Sequence, residues 1–278
     1  MKKMLFLVFI LFAFENPIFA NNWHSNFEDA QREALTTNKL ILVDFWANWC
    51  GPCKRMDTET WSADEVKLLM SNYVPVKVDI DIYKQLATNY SVSGIPYIFI
   101  MDGNGKVLYS QKSYKTKSQV ISLLKKYAIS TEYLNQHLIN YYANPDFSSA
   151  FRLASKYSDF SIIVNKEIRH DILQVSNVYF DISEKLLKNT ELKNKALFLQ
   201  KMELFKVQEI ILRNNLERAS KLLGNMKEEN LEAANIDFFN FLNYIVSKEK
   251  NDETSAAVWI GKLSENDKQK AALFLKST

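Results

Sequence analysis

The chain is poor in the residues that usually staple, break or charge a protein. Two cysteines in 278 residues leave room for one disulfide, which excludes a small scaffold held by several bridges. The three histidines, at 24, 137 and 170, have no ligand spacing, so the four ligands of a zinc site are not there to join the cysteines. The formal net charge is only +3 and no long basic block occurs, which argues against nucleic acid as a partner. Helix-breaking residues are scarce in the second half: beyond Ile129 only Pro145, Gly224 and Gly261 interrupt about 150 residues rich in Leu, Lys, Glu and Asn. No fixed repeat period is present, so a stack of antiparallel helix pairs fits better than any repeat family.

What remains is globular: 47% of residues are hydrophobic and 24% charged, in a length that suits two domains of ordinary size. Residues 1–20 are of a different kind. Lys2 and Lys3 precede an apolar run from Met4 to Phe14, Glu15-Asn16-Pro17 breaks it, and Ile18-Phe19-Ala20 ends on a small residue. This is the pattern of a secretory signal peptide cut after Ala20. The run is shorter than the about 20 residues that span a bilayer, and no cysteine lies nearby to carry a lipid. The expected address is outside the cytoplasm, in the periplasm, with extracellular release or membrane anchorage as the alternatives.

Both cysteines fall in Trp49-Cys50-Gly51-Pro52-Cys53-Lys54. The apolar run Leu40 to Trp46, broken only by Asp44, leads into them and reads as a central strand covered on both faces. The spacing predicts a strand that delivers a C-x-x-C dithiol to the start of a helix running to about Glu59. A structural bridge closing so short a loop would add little stability, because a short loop has little entropy to lose; redox chemistry explains the pair better. A thiol attacks a disulfide as the thiolate, and a helix N-terminus favours that anion. Cys50, just outside the helix, is the expected exposed attacker, and Cys53, one turn in, the buried resolving thiol. Gly51 and Pro52 let the chain turn into the helix without losing a needed hydrogen bond.

Around this segment the pattern predicts a helix from Phe27 to the Thr36-Thr37-Asn38 stop and a Ser62-Ala63-Asp64-Glu65 capping box that opens a helix through Met70. Strands are expected over Tyr73–Ile80 and Tyr97–Met101, with a short helix between them over Ile82–Tyr90. A hairpin at Asp102-Gly103-Asn104-Gly105 leads into Lys106–Ser110, and an amphipathic helix follows over Lys117–Tyr127. Further helices are expected near 132–143, 147–157, 161–188, 193–213, 215–223, 230–248, 252–262 and 265–276. The domain reading is signal 1–20, an α/β domain over 21–128 and an all-helical domain over 129–278.

The stretch Val43-Asp44-Phe45-Trp46-Ala47-Asn48-Trp49-Cys50-Gly51-Pro52-Cys53-Lys54, with Gly94-Ile95-Pro96 further on, closely resembles the active site of thioredoxins. From about Trp23 to Tyr127 the chain is similar to secreted thioredoxin-like domains related to the C-terminal domain of DsbD. The resemblance implies an α/β thioredoxin fold, a mixed sheet flanked by helices, followed here by the all-α part. It implies that Cys50 is the nucleophile and Cys53 the resolving thiol. Asp44 would be the buried carboxylate that exchanges the Cys53 proton, with Lys77 as its charge partner. Trp49 would shield the dithiol, and Ile95 with a cis Pro96 would line the substrate groove; Tyr97 replaces the threonine common in thioredoxins.

No cofactor beyond the Cys50–Cys53 redox pair is expected. Gly-Pro between the cysteines is the pair of reducing thioredoxins. Their potential lies about 150 mV below that of DsbA, roughly 7 kcal/mol for two electrons, so reduction or isomerisation is expected rather than oxidation. The implied partners are disulfide-containing exported proteins and a membrane electron donor of the DsbD type. The helical part, 129–278, is open to a dimer or client contact. The alternative is a binding or chaperone-like protein whose helical domain recruits clients, with the dithiol domain accessory.

Overall fold

A computed structural model describes residues 23–277; the expected signal segment lies outside them. Helix α1, Phe27–Thr37, starts at Asn26, whose side chain accepts from the amides of Glu28 and Asp29, and stops at Asn38 in the left-handed region. Strand β1, Leu40–Trp46, follows. Then come α2, Gly51–Met56, a π-helical turn, Asp57–Trp61, and α3, Asp64–Met70. Strand β2 is Tyr73–Asp79, α4 Lys84–Asn89, β3 Tyr97–Met101, β4 Val107–Lys112 and α5 Lys117–Lys126.

The sheet order is β2-β1-β3-β4, with β1 parallel to β2 and antiparallel to β3. β1 is therefore central, as its two-sided apolar pattern requires. Ile41, Val43 and Phe45 pack on the α1 and α4 side with Phe27, Val76 and Phe99. Leu40 and Leu42 pack on the other side with Val66 and Met70 of α3 and Val120 and Leu124 of α5.

Two local expectations are corrected. The helix from the cysteines does not end at Glu59; it widens into the π turn, which keeps Ser62 helical at ψ −17°. Ser62 Oγ therefore donates back to the Thr58 carbonyl at 2.6 Å instead of capping α3, whose first turn follows an extended Ala63 with no side-chain cap.

A further correction is in the helical part. Beyond a 3-10 turn at Glu132–Leu134, it consists of α6 Asn135–Ala143, α7 Phe147–Ile163, α8 Lys166–Lys188 and α9 Lys195–Leu212. It continues with α10 Leu216–Gly224, α11 Ala233–Glu249, α12 Glu253–Ile260 and α13 Glu265–Ser277. The break expected at 158–160 lies instead at Val164-Asn165. Ser158 and Ser161 sit buried inside α7, Ser161 Oγ bonding the Ser158 carbonyl and Ser158 Oγ accepting from Gln208.

The two parts share a core. The cluster of Leu40, Ile98 and Tyr127 continues into Leu138, Leu153, Ile172 and Tyr179. Their polar junction is the β3–β4 hairpin, where fully buried Asp102 accepts at Oδ1 from the amides of Asn104 and Lys106. Its Oδ2 accepts from Tyr157 Oη at 2.9 Å and Tyr179 Oη at 2.6 Å. Because Met101 pairs with Ile41 at the start of β1, this junction lies at the opposite end of the sheet from the cysteines.

Candidate active site

β1 ends at Trp46, and the turn that follows is closed by the Cys50 amide on the Ala47 carbonyl at 3.0 Å. Cys50 then occupies the N-cap of α2, with Pro52 in the first turn, and its sulfur accepts from the Cys53 amide at 3.2 Å. That N–H and the helix dipole favour negative charge on Cys50 Sγ. The two cysteines form a disulfide. Nothing lies within 4 Å of a side-chain position at Gly51, so the turn is open there.

Both cysteines are buried, Cys50 at 3% and Cys53 at 2% exposure. This corrects the expectation of an exposed Cys50. In the disulfide the Cys50 sulfur is folded back over the helix start, and both residues pack with Ala47, Ile80 and Ile95. Ile95 precedes a cis Pro96, so the Gly94-Ile95-Pro96 loop meets the dithiol. Trp49 lies at the surface, 67% exposed, with its indole N–H on Asp81 Oδ2 at 2.8 Å. Tyr97 turns its ring onto Phe99, centroids 4.4 Å apart.

Asp44 sits opposite Lys77 of β2 and Ile98 of β3, 2% exposed. Lys77 Nζ is 3.7 Å from Asp44 Oδ2 and is also paired, more closely, with Asp57. The Trp23 and Trp46 rings lie 5.4 and 5.2 Å from the same ammonium. Burial pushes the Asp44 carboxyl up to about 6; the Lys77 charge opposes the shift, Asp57 adds to it, and the N–H donors of Trp61 and Lys77, both beyond ordinary hydrogen-bond distance, oppose it. A carboxyl titrating there can accept and return a proton near neutral pH.

The structure thus brings Cys50, Cys53 and Ile95-Pro96 together, and sets Asp44 with Lys77. Sequence reasoning missed Asp57, Asp81 and the tryptophans 23, 46 and 61. Asp57 carried a signal, since it stands four residues after Cys53 on the same helical face. The others reach the site from distant segments.

A mixed sheet carrying a redox-active C-x-x-C at the end of its central strand defines a thiol-disulfide oxidoreductase. Residues 27–128 match the family model described as a thioredoxin-like domain. Thioredoxin of Mycoplasmoides gallisepticum is 36% identical over 94 residues, 34% of this chain and 89% of that protein. Thioredoxin of Bacillus subtilis is 30% identical over 104 residues, 36% of this chain and 92% of the relative. The reduced C-terminal domain of Neisseria meningitidis DsbD aligns at a TM-score of 0.33 and 22% identity, covering 36% of this chain and 92% of that one. The chain belongs to the thioredoxin-like family.

Proposed function

We propose that this protein is an exported thiol-disulfide oxidoreductase that reduces or isomerises disulfides in other exported proteins, in a periplasm. The observation that carries the chemistry is the Cys50 sulfur at the α2 N-cap, bonded to Cys53 and receiving its amide N–H. Export is supported by the Lys2-Lys3 and Met4–Phe14 pattern.

In the reduced protein the Cys50 thiolate attacks one sulfur of a substrate disulfide. A mixed disulfide forms, and the first substrate sulfur leaves as a thiolate that takes up a proton. Cys53 gives its proton to Asp44 and attacks Cys50 Sγ. The Cys50–Cys53 bond forms, and the second substrate thiolate leaves with the proton returned from Asp44. Two electrons and two protons have passed to the substrate. The dithiol pair is the whole redox group in this scheme. Its regeneration draws two electrons from an external dithiol, which outside the cytoplasm calls for a membrane donor of the DsbD type.

Insulin reduction by the full chain tests this reading: activity is expected in wild type and is lost in Cys50→Ser. Cys53→Ser is expected to accumulate mixed disulfides with its substrates, and mass spectrometry would name them. A redox titration should give a potential near that of thioredoxin, about −270 mV; a value near the about −120 mV of DsbA would overturn the reducing direction.

A second reading draws on a cleft of about 530 Å³ in the helical part, floored by Phe151, Phe205 and Phe241 and rimmed by Arg152, Lys156 and Asp237. Aromatic floors with charged rims suit polypeptide segments, so this part would recruit clients. Full cellular function retained by Cys50→Ser would favour recruitment as the main role; equal loss in Cys50→Ser and a deletion of 129–278 would favour exchange.

A further inference from the structure

Trp61 closes the π turn and is 3% exposed. A tryptophan buried so fully normally finds an acceptor for its indole N–H. Among the described residues Trp61 Nε1 has no partner at ordinary hydrogen-bond distance, and neither does Asp44 Oδ1, an acceptor that is buried too. They belong to one buried cluster: the Trp61 ring packs on Trp23, the Trp23 ring lies 5.4 Å from Lys77 Nζ, and Lys77 stands 3.7 Å from Asp44, whose carboxyl Trp61 helps to keep charged. Lys77 approaches from the other oxygen, Oδ2.

Two features fix the indole. Its ring stands edge-on to Trp23, centroids 5.3 Å apart and planes at 78°. It also follows the π turn, whose extra residue rotates everything after it by about 100° relative to an uninterrupted α-helix. An α-helical continuation through Asp57–Trp61 would carry the ring to another face.

We infer that Trp61 is a positioning residue for disulfide exchange: its indole N–H holds Oδ1 of Asp44, so that Oδ2 stays turned to Lys77 and the carboxyl keeps one orientation near the Cys50–Cys53 pair. The inference rests on Asp44 being the proton acceptor for Cys53. The charged groups that face Asp44 are Lys77 from β2 and Asp57 from the π turn, and the proposed exchange adds the Cys53 thiol of α2. β3 sets the apolar Ile98 opposite it. Trp61 adds a donor that favours the charged carboxylate.

The test is the pH profile, from about pH 5 to 9, of the reduced full-length protein reacting with oxidised glutathione, followed to release of the second glutathione. Wild type is expected to show a step near pH 6 that Asp44→Asn abolishes. Trp61→Phe keeps a ring against Trp23 but has no N–H. Its step is expected about half to one pH unit higher, so that its rate loss is about three- to tenfold larger below the step than above it. Asp44→Asn/Trp61→Phe should then show no further change in profile relative to Asp44→Asn.

A step that persists in Asp44→Asn defeats the proton-acceptor reading and this inference with it. A step abolished by Asp44→Asn but unmoved by Trp61→Phe, or a Trp61→Phe loss equal at all pH values, overturns this inference alone. In the unaltered protein the Trp61 indole ¹⁵N–H resonance is expected to titrate with the midpoint of the same step, and a flat resonance overturns the inference even if Trp61→Phe fails to fold.

Discussion

Asp44 shows at the scale of one residue how this site sets reactivity against stability. Its carboxyl titrates at about 6 instead of 3.8 because it is buried. Between those pH values the folded chain holds a proton that the unfolded chain has lost. Stability therefore falls as pH rises from about 4 through 6 and stays lower above, by about 2–3 kcal/mol for a shift of this size. Asp44→Asn should accordingly raise the unfolding free energy by about that amount at pH 8 and by little at pH 4, while slowing exchange. Urea titrations at the two pH values check it, and a variant less stable than wild type at pH 8 would contradict the assignment. Asp57 acts on the same carboxyl with the opposite sign to Lys77. Asp57→Asn should therefore move the Asp44 step toward acid, read as a higher ratio of exchange rate at pH 5.5 to that at pH 8.5; a lower ratio would show that Asp57 acts mainly by holding Lys77 in place.

Single elements show where sequence patterning succeeds and where it stops. The α7–α8 junction is set by Asn165, whose side chain accepts from the Glu167 amide at the start of a 23-residue helix. Asn165→Ala should cost about 1 kcal/mol in urea unfolding, and no measurable change would mean that water caps the helix as well. The sequence pattern sets this break at 158–160, beside two serines, Ser158 and Ser161, that need hydrogen-bond partners. Their hydroxyls are instead satisfied inside the fold, by a carbonyl one turn back and by Gln208 from α9, and a partner 50 residues away leaves no trace in local pattern. The same distinction runs through the site. Cys50, Cys53, Asp44 and the cis Pro96 were legible because one strand, one helix start and one loop carry them in recognisable order. The placement of Asp57 and Trp61 around Asp44 was not, because it depends on a π turn, a one-residue change in winding with no composition of its own. The four strands and the central place of β1 were legible too, since a strand apolar on both faces has to be central.

At the scale of the whole molecule, the helical part is attached at the end of the sheet away from the dithiol. The attachment is both apolar, through the shared core of Leu40, Tyr127, Leu138 and Ile172, and polar, through Asp102 with Tyr157 and Tyr179. Burial raises the Asp102 carboxyl, while the two tyrosine hydroxyls and the hairpin amides pull it back. Tyr179→Phe removes the shorter of the two hydroxyl bonds and leaves a buried carboxyl short of a donor, at a cost of about 1.5–3 kcal/mol. For a chain of this size that corresponds to a melting temperature lower by about 2–4 °C per kcal/mol. Since the junction and the dithiol lie at opposite ends of β1, the exchange rate at 25 °C should be unchanged in this variant. Calorimetry of the full chain should also show one cooperative transition, in wild type and in Tyr179→Phe alike, because the core of Leu40, Tyr127, Leu138 and Ile172 is shared by both parts. Two separated transitions, or a Tyr179→Phe protein with wild-type stability, would mean that the helices are tethered to the catalytic part without being built into it.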